Sequence, residues 1–118
     1  MSGRVLIVDD HIDFRRVARL LLEQTGHVVV GEAGTGAEAL SEARRLQPDV
    51  VLLDIQLPDL DGLAVAASLT SRAKCPAVVL VSTREARDYG PRLDRCGALG
   101  FIAKADLNAE SLRALLEA

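Results

Sequence analysis

Four of five short apolar runs in this chain stop on a residue that can do chemistry, and the runs alternate with stretches of helical periodicity. Val5-Leu6-Ile7-Val8 stops at Asp9-Asp10, Val50-Val51-Leu52-Leu53 at Asp54, Ala77 to Val81 at Ser82-Thr83, and Leu99 to Ala103 at Lys104. The fifth run is Val28-Val29-Val30. Continuous rather than alternating apolar runs suit strands buried on both faces. After the first, Phe14, Val17, Ala18, Leu21 and Leu22 fall at helical spacing, with Asp13 as a candidate cap and Gly26 placed to end the helix. Ala39, Leu40, Ala43 and Leu46 mark a second helix that must finish before Pro48. Leu63, Ala66, Ala67 and Leu69 mark a third, entered through the turn-rich stretch Ile55 to Gly62. Leu112, Leu115 and Leu116 mark the last, with Asn108 as its candidate N-cap.

The fourth helix is expected late and short. Gly90-Pro91 would break any helix started at Glu85, because Gly disfavours a helix interior and Pro there removes a hydrogen bond. The regular turns therefore run from about Pro91 to Cys96, closed by Gly97, and Thr83 to Gly90 is loop or one loose turn.

Strands alternating with helices imply a parallel sheet covered on both faces by right-handed crossovers. Five βα units fit a flavodoxin-like (βα)5 doubly wound five-stranded sheet of order 2-1-3-4-5. The whole of 1–118 reads as one domain, since 118 residues suffice for one core and no linker, repeat or low-complexity segment interrupts them. Aromatics make up only 3% of the chain, so Val, Leu, Ile and Ala must build that core. A net charge of −3 argues against a nucleic-acid or anionic-membrane surface driven by bulk charge. No apolar run approaches the roughly 20 residues that span a bilayer, and no signal peptide opens the chain, so a cytoplasmic protein is expected. Cys75 and Cys96 have no metal-binding spacing and read as reduced thiols.

In open α/β sheets ligands sit beyond the carboxyl ends of the strands at the topological switch point, here between the first and third strands. Asp9, Asp10 and Asp54 end those two strands. Three carboxylates gathered there repel one another, and a cation is the simplest reason for gathering them. Oxygen donors, with no His or Cys at the other strand ends, select a hard ion; Mg²⁺ suits a site that also admits a phosphoryl oxygen and waters, and Mn²⁺ would be tolerated. Ser82 and Lys104 end the remaining strands as donors for two oxygens of a tetrahedral phosphoryl group. A carboxylate nucleophile flanked by a divalent cation, an ammonium and a hydroxyl is sufficient for phosphoryl transfer, and Asp54 on the central strand is the natural acceptor.

The motifs Val8-Asp9-Asp10-His11, Leu53-Asp54-Ile55-Gln56-Leu57-Pro58-Asp59-Leu60-Asp61-Gly62, Val81-Ser82 and Gly97 to Lys104 together resemble the receivers of two-component response regulators along the whole chain. The resemblance implies that Asp54 is the phosphoacceptor, Asp10 a direct Mg²⁺ ligand, Asp9 a ligand acting partly through water, and Gln56 a ligand through its backbone carbonyl. It makes Lys104 the phosphate-binding lysine, Ser82 the hydroxyl that moves toward the phosphoryl group, and Phe101 an aromatic switch, although core packing alone would account for Phe101. It implies a histidine kinase or phosphotransfer protein as donor and a homodimer formed on phosphorylation. On the same resemblance the output is expected to be transcription through another domain, with this one touching neither nucleic acid nor membrane and acting as a signalling switch rather than an enzyme.

Two departures accompany the likeness. Many receivers carry Pro after the lysine, whereas Lys104-Ala105-Asp106-Leu107 is similar to receivers of the nitrate-response class of helix-turn-helix regulators. Thr83 is bulkier than the Ala or Gly common after the switch hydroxyl, which narrows access to Asp54. Two rival readings remain. One is a pseudo-receiver that only binds a partner. The other is a nucleotide-binding enzyme, suggested by the loose dinucleotide fingerprint Gly34-Thr35-Gly36-Ala37-Glu38-Ala39 at a strand-to-helix turn.

Overall fold

The computed structural model describes residues 3–117 and contains a single parallel sheet of order β2-β1-β3-β4-β5. Its strands are β1 (Arg4–Val8), β2 (Val28–Ala33), β3 (Val50–Asp54), β4 (Ala77–Ser82) and β5 (Gly100–Ala103). The helices α1 (Ile12–Gln24), α2 (Gly36–Leu46), α3 (Gly62–Thr70), α4 (Arg92–Arg95) and α5 (Ala109–Leu116) follow the strands in turn. This is the expected doubly wound order.

Alternate side chains of each strand enter opposite layers. Leu6, Val8, Val51, Leu53, Val78 and Leu80 pack with Ala39, Ala43, Leu63, Val65, Ala66 and Leu69 from α2 and α3 on one face. Val5, Ile7, Leu52, Val79, Val81 and Ile102 pack with Ala18, Leu22 and Leu112 from α1 and α5 on the other. The central strand β3 is buried throughout, so the run that looks continuously apolar in sequence is apolar on both faces.

β2 extends three residues beyond Val30. Leu6, Ile7 and Val8 pair with Gly31, Glu32 and Ala33, and Gly31 allows this because a Cβ there would lie 2.6 Å from Leu46 Cδ1. The strand's polar end is then held by α1, since Glu32 accepts from Arg15 Nε at 2.8 Å and from Arg19 Nη2 at 2.8 Å. β5 begins at Gly100, one residue later than its apolar run, with Leu99 N already donating to Val78 O.

Asp13 does not cap α1. The N-cap is His11, without a side-chain cap bond, and Asp13 lies in the first turn. The chain enters the helix directly from the strand end, and the carboxylate that orders this turn is Asp9, which accepts from His11 N at 2.8 Å. Asn108 does cap α5, accepting from Ser111 N at 2.8 Å. α4 is the short late helix expected: Pro91 is its N-cap, Gly90 at φ +63° turns the chain into it, and Gly97 at φ +84° follows its end. Between Ser82 and Gly90 there is one 3-10 turn, Ala86–Asp88. No described helix is long and apolar enough to cross a membrane.

Candidate functional site

The carboxyl ends of β1, β3 and β5 bring Asp9, Asp10, Asp54 and Lys104 together. Asp9 is fully buried and Asp54 nearly so, while Asp10 is exposed at the rim. One ligand atom from each of Asp9, Asp10, His11 and Asp54 lies within 4.8 Å of every other. Lys104 Nζ sits 2.7 Å from Asp9 Oδ2, 3.4 Å from Asp54 Oδ2 and 4.2 Å from the centroid of the Phe14 ring. The ammonium is thereby placed by an ion pair below and an aromatic face beside it.

Asp54 is ordered by its own loop. Gln56 N donates to its Oδ1 at 3.0 Å, leaving Oδ2 toward Lys104. The loop turns back on itself at Gly62, whose N–H reaches Ile55 O at 3.0 Å and where a Cβ would lie 2.5 Å from the Ile55 backbone. Asp61 then caps α3 through Leu63 N. Burial pushes the Asp54 carboxyl up to about 6, helped by the Asp9 charge and opposed by the Gln56 amide and Lys104.

These residues fit a hard divalent cation. Asp9 Oδ2 is buried and finds no hydrogen-bond donor among the described residues, because Lys104 approaches as an ion-pair partner outside hydrogen-bond geometry. Among the described residues one ammonium, that of Lys104, stands against three acidic side chains, so the pocket keeps uncompensated negative charge. The carboxylate oxygens of such a pocket are compatible with a divalent cation.

Several side-chain contacts escape strand-end reasoning. His11 joins the cluster, its Nδ1 3.0 Å from Asp10 Oδ1 and 3.2 Å from Asp9 Oδ1; its position directly after Asp10 was the available signal. Arg15 Nη1 donates to Asp9 O, so α1 holds the first strand end from behind. Ser82, although at the right strand end and buried, turns to Tyr89 and makes no described hydrogen bond to Asp54. Phe101 is partly buried, its ring centroid 6.2 Å from that of Tyr89. Gln56 Oε1 accepts a hydrogen bond from Thr83 Oγ1 at 3.0 Å, linking the loops that follow β3 and β4.

The dinucleotide-like turn is already filled by the protein. Asp59 accepts from Gly36 N at 2.7 Å and Ala37 N at 3.0 Å, and these amides hold its carboxyl below the usual range. A carboxylate thus stands where a nucleotide phosphate would need the start of α2.

The sequence model of the response regulator receiver domain matches residues 5–117. The chain belongs to this family. It is 47% identical over 113 residues to a Pseudomonas aeruginosa protein described as a transcriptional regulator, covering 95% of this chain and 54% of that one. It is 43% identical over 104 residues to protein-glutamate methylesterase/protein-glutamine glutaminase 6 of Anaeromyxobacter dehalogenans, covering 87% of this chain and 29% of that one. Among solved structures it resembles the signal receiver domain of NarL from Mycobacterium tuberculosis, with a TM-score of 0.87, 37% identity, and coverage of 98% of this chain and 94% of that one. The receiver spans about half the length of the transcriptional regulator it matches. One receiver type therefore accompanies both regulators and enzymes, and receivers themselves act as signalling switches.

Proposed function

We propose that Asp54 is the phosphoacceptor of this receiver, that a histidine kinase or phosphotransfer protein is its donor, and that the output is transcription. The observation that carries the reading is Asp54 itself: a buried carboxylate at the end of the central strand, with one oxygen fixed by the Gln56 amide and the other facing Lys104. Asp54 Oδ2 attacks the phosphorus of a phosphohistidine, an O–P bond forms as the P–N bond breaks, and the imidazole leaves with its electron pair. Lys104, now shared between Asp9 and Asp54, is within reach of a phosphoryl oxygen on Asp54 and neutralises part of its charge.

Asp9, Asp10, Asp54 and the Gln56 carbonyl would hold Mg²⁺, with Mn²⁺ an acceptable substitute. Bound there, the ion supplies neutralisation of the charge on the transferring group. Ser82 serves as the hydroxyl donor to the phosphoryl group and Phe101 follows its movement, the switch face being built from α4, β5 and α5. A homodimer formed on phosphorylation, and a cytoplasmic location, belong to the same reading.

The pseudo-receiver alternative is separated from it by one experiment. Treated with acetyl phosphate and Mg²⁺, the protein should gain one phosphoryl adduct by intact mass, gain none when Mg²⁺ is chelated before the phosphodonor is added, and show none as Asp54→Asn. A full adduct on the Asn variant would sink the assignment.

A further inference from the structure

In this structure the Ser82 hydroxyl is already committed elsewhere. Its Oγ lies 2.5 Å from Tyr89 Oη and accepts the Arg84 N–H at 3.0 Å. A serine hydroxyl carries one proton and two lone pairs. If Tyr89 accepts from Ser82, the only proton Ser82 could offer a phosphoryl oxygen is spent. If Tyr89 donates, Arg84 and Tyr89 occupy both lone pairs and fix the rotamer in which the hydroxyl faces them. Ser82 is fully buried, so leaving Tyr89 is costly until another partner takes its place.

Tyr89 is held in position for this contact from three sides. It directly follows the 3-10 turn Ala86–Asp88, which is closed by reciprocal Glu85 and Asp88 bonds. Its ring is half-buried against the α2–α3 layer and meets Phe101 at 56°. Gly90, at φ +63°, then turns the chain away into α4.

We infer that Tyr89 is a positioning residue for Ser82: its hydroxyl holds Ser82 in a resting orientation, and a phosphoryl group on Asp54 must replace Tyr89 as the partner of Ser82. This role rests on Asp54 being the phosphoacceptor. When Ser82 turns to the phosphoryl oxygen, Tyr89 Oη loses its buried partner, and the Tyr89 ring is released beside Phe101. Serine movement is thereby coupled to the start of α4 through one side chain, in addition to any movement of Phe101.

A double-mutant cycle on the whole domain tests it, with beryllofluoride in saturating Mg²⁺ as the probe of the phosphorylated state and amide NMR shifts as the readout. Tyr89→Phe keeps the ring packing and removes only the hydroxyl. It should tighten beryllofluoride binding about threefold to tenfold, the range for one hydrogen bond relieved of competition. In a Ser82→Ala background the same substitution should change affinity less than about twofold, because nothing remains to be released. In the ligand-free domain, Tyr89→Phe should also shift the Arg84 amide and the Ser82 Cβ signals. Equal effects of Tyr89→Phe in both backgrounds, or none in either, overturn the role of Tyr89 alone. A wild-type domain that takes up no beryllofluoride instead overturns the reading of Asp54, and the role falls with it.

Discussion

Two segments lead away from the acidic pocket, and they are held in very different ways. α1 leaves the end of β1, runs for 13 residues, buries Ala18 and Leu22 completely, and ties Asp9 and β2 through Arg15 and Arg19. The segment after β4 contains one 3-10 turn and the four-residue α4, neither with a buried residue. Its anchors are the partly buried Tyr89 and Leu93, the buried Cys96 just after α4 with its carbonyl accepting from Thr70 Oγ1, the Ser82–Tyr89 bond, and an ion pair between Arg92 and Asp61. The segment after the carboxylates is the more heavily anchored and the segment after the hydroxyl the more lightly held, so the first is expected to be the rigid wall and the second the loose one. A site that must hold charge in fixed geometry and also signal its own state can divide the two tasks in this way.

The largest expected effect probes the rigid wall. Leu22→Ala removes a fully buried side chain from between α1 and the sheet and should destabilise the domain by about 2–5 kcal/mol in urea unfolding. Leu93→Ala in α4, where the side chain is only partly buried, should cost about 1 kcal/mol by the same measurement. Equal losses would show that α4 is as firmly docked as α1 and would remove the contrast.

The acidic pocket itself predicts an effect of opposite sign. Asp54 rises from its ordinary 3.8 to about 6, burial being the largest cause. In the metal-free protein the folded state therefore keeps this proton at a pH where the unfolded chain has lost it. Its contribution is complete below the unfolded value and is lost as pH rises through about 6. At neutral pH the ionised group costs on the order of 3 kcal/mol, taking about 1.4 kcal/mol for each unit of displacement. Asp54→Asn should thus be more stable than wild type at neutral pH in chelator, and the difference should shrink toward pH 4. Millimolar Mg²⁺ should narrow the gap at neutral pH by stabilising the wild type. An Asn variant that is less stable than wild type across the whole range would show that the pocket is not electrostatically strained.

The contrast also explains what could be read from the chain. Strand order and the gathering of Asp9, Asp10, Asp54 and Lys104 follow from apolar runs and their end residues, because a parallel sheet places every carboxyl end on one edge. The late start of α4 follows from Gly90-Pro91, whose effects are local. The remaining details depend on side-chain partners that apolar periodicity does not reveal, some of them distant in sequence. Asp59 fills the α2 start across 23 residues, Glu32 is kept in β2 by two arginines of α1, and Asp13 loses its capping role to a turn organised by Asp9. Ser82 was placed correctly on its strand, but its rotamer depends on a tyrosine seven residues onward, in a segment without helical or strand periodicity.

The smallest expected effect on overall stability comes from the loose wall, and hydrogen exchange is needed to see it. Arg92 and Asp61 pair across α4 and the start of α3 with side chains 61% and 43% exposed, so the pair should contribute no more than about 1 kcal/mol. Arg92→Ala should therefore leave global stability within about 0.5 kcal/mol of wild type. Locally the consequence is larger in proportion, because the segment has few other anchors. The Asp88 and Tyr89 amides donate only to Glu85 and Ala86 within the same short turn, whereas the Leu21 and Leu22 amides lie inside a long docked helix. The first pair should exchange through local opening and the second only through openings approaching global unfolding. In wild type, Asp88 and Tyr89 should already exchange faster than Leu22, and Arg92→Ala should speed them further while leaving Leu22 unchanged. If Asp88 and Tyr89 are protected as strongly as Leu22, opening of the segment cannot be the low-cost movement by which Ser82 and Tyr89 part, and the division into a rigid and a loose wall is wrong.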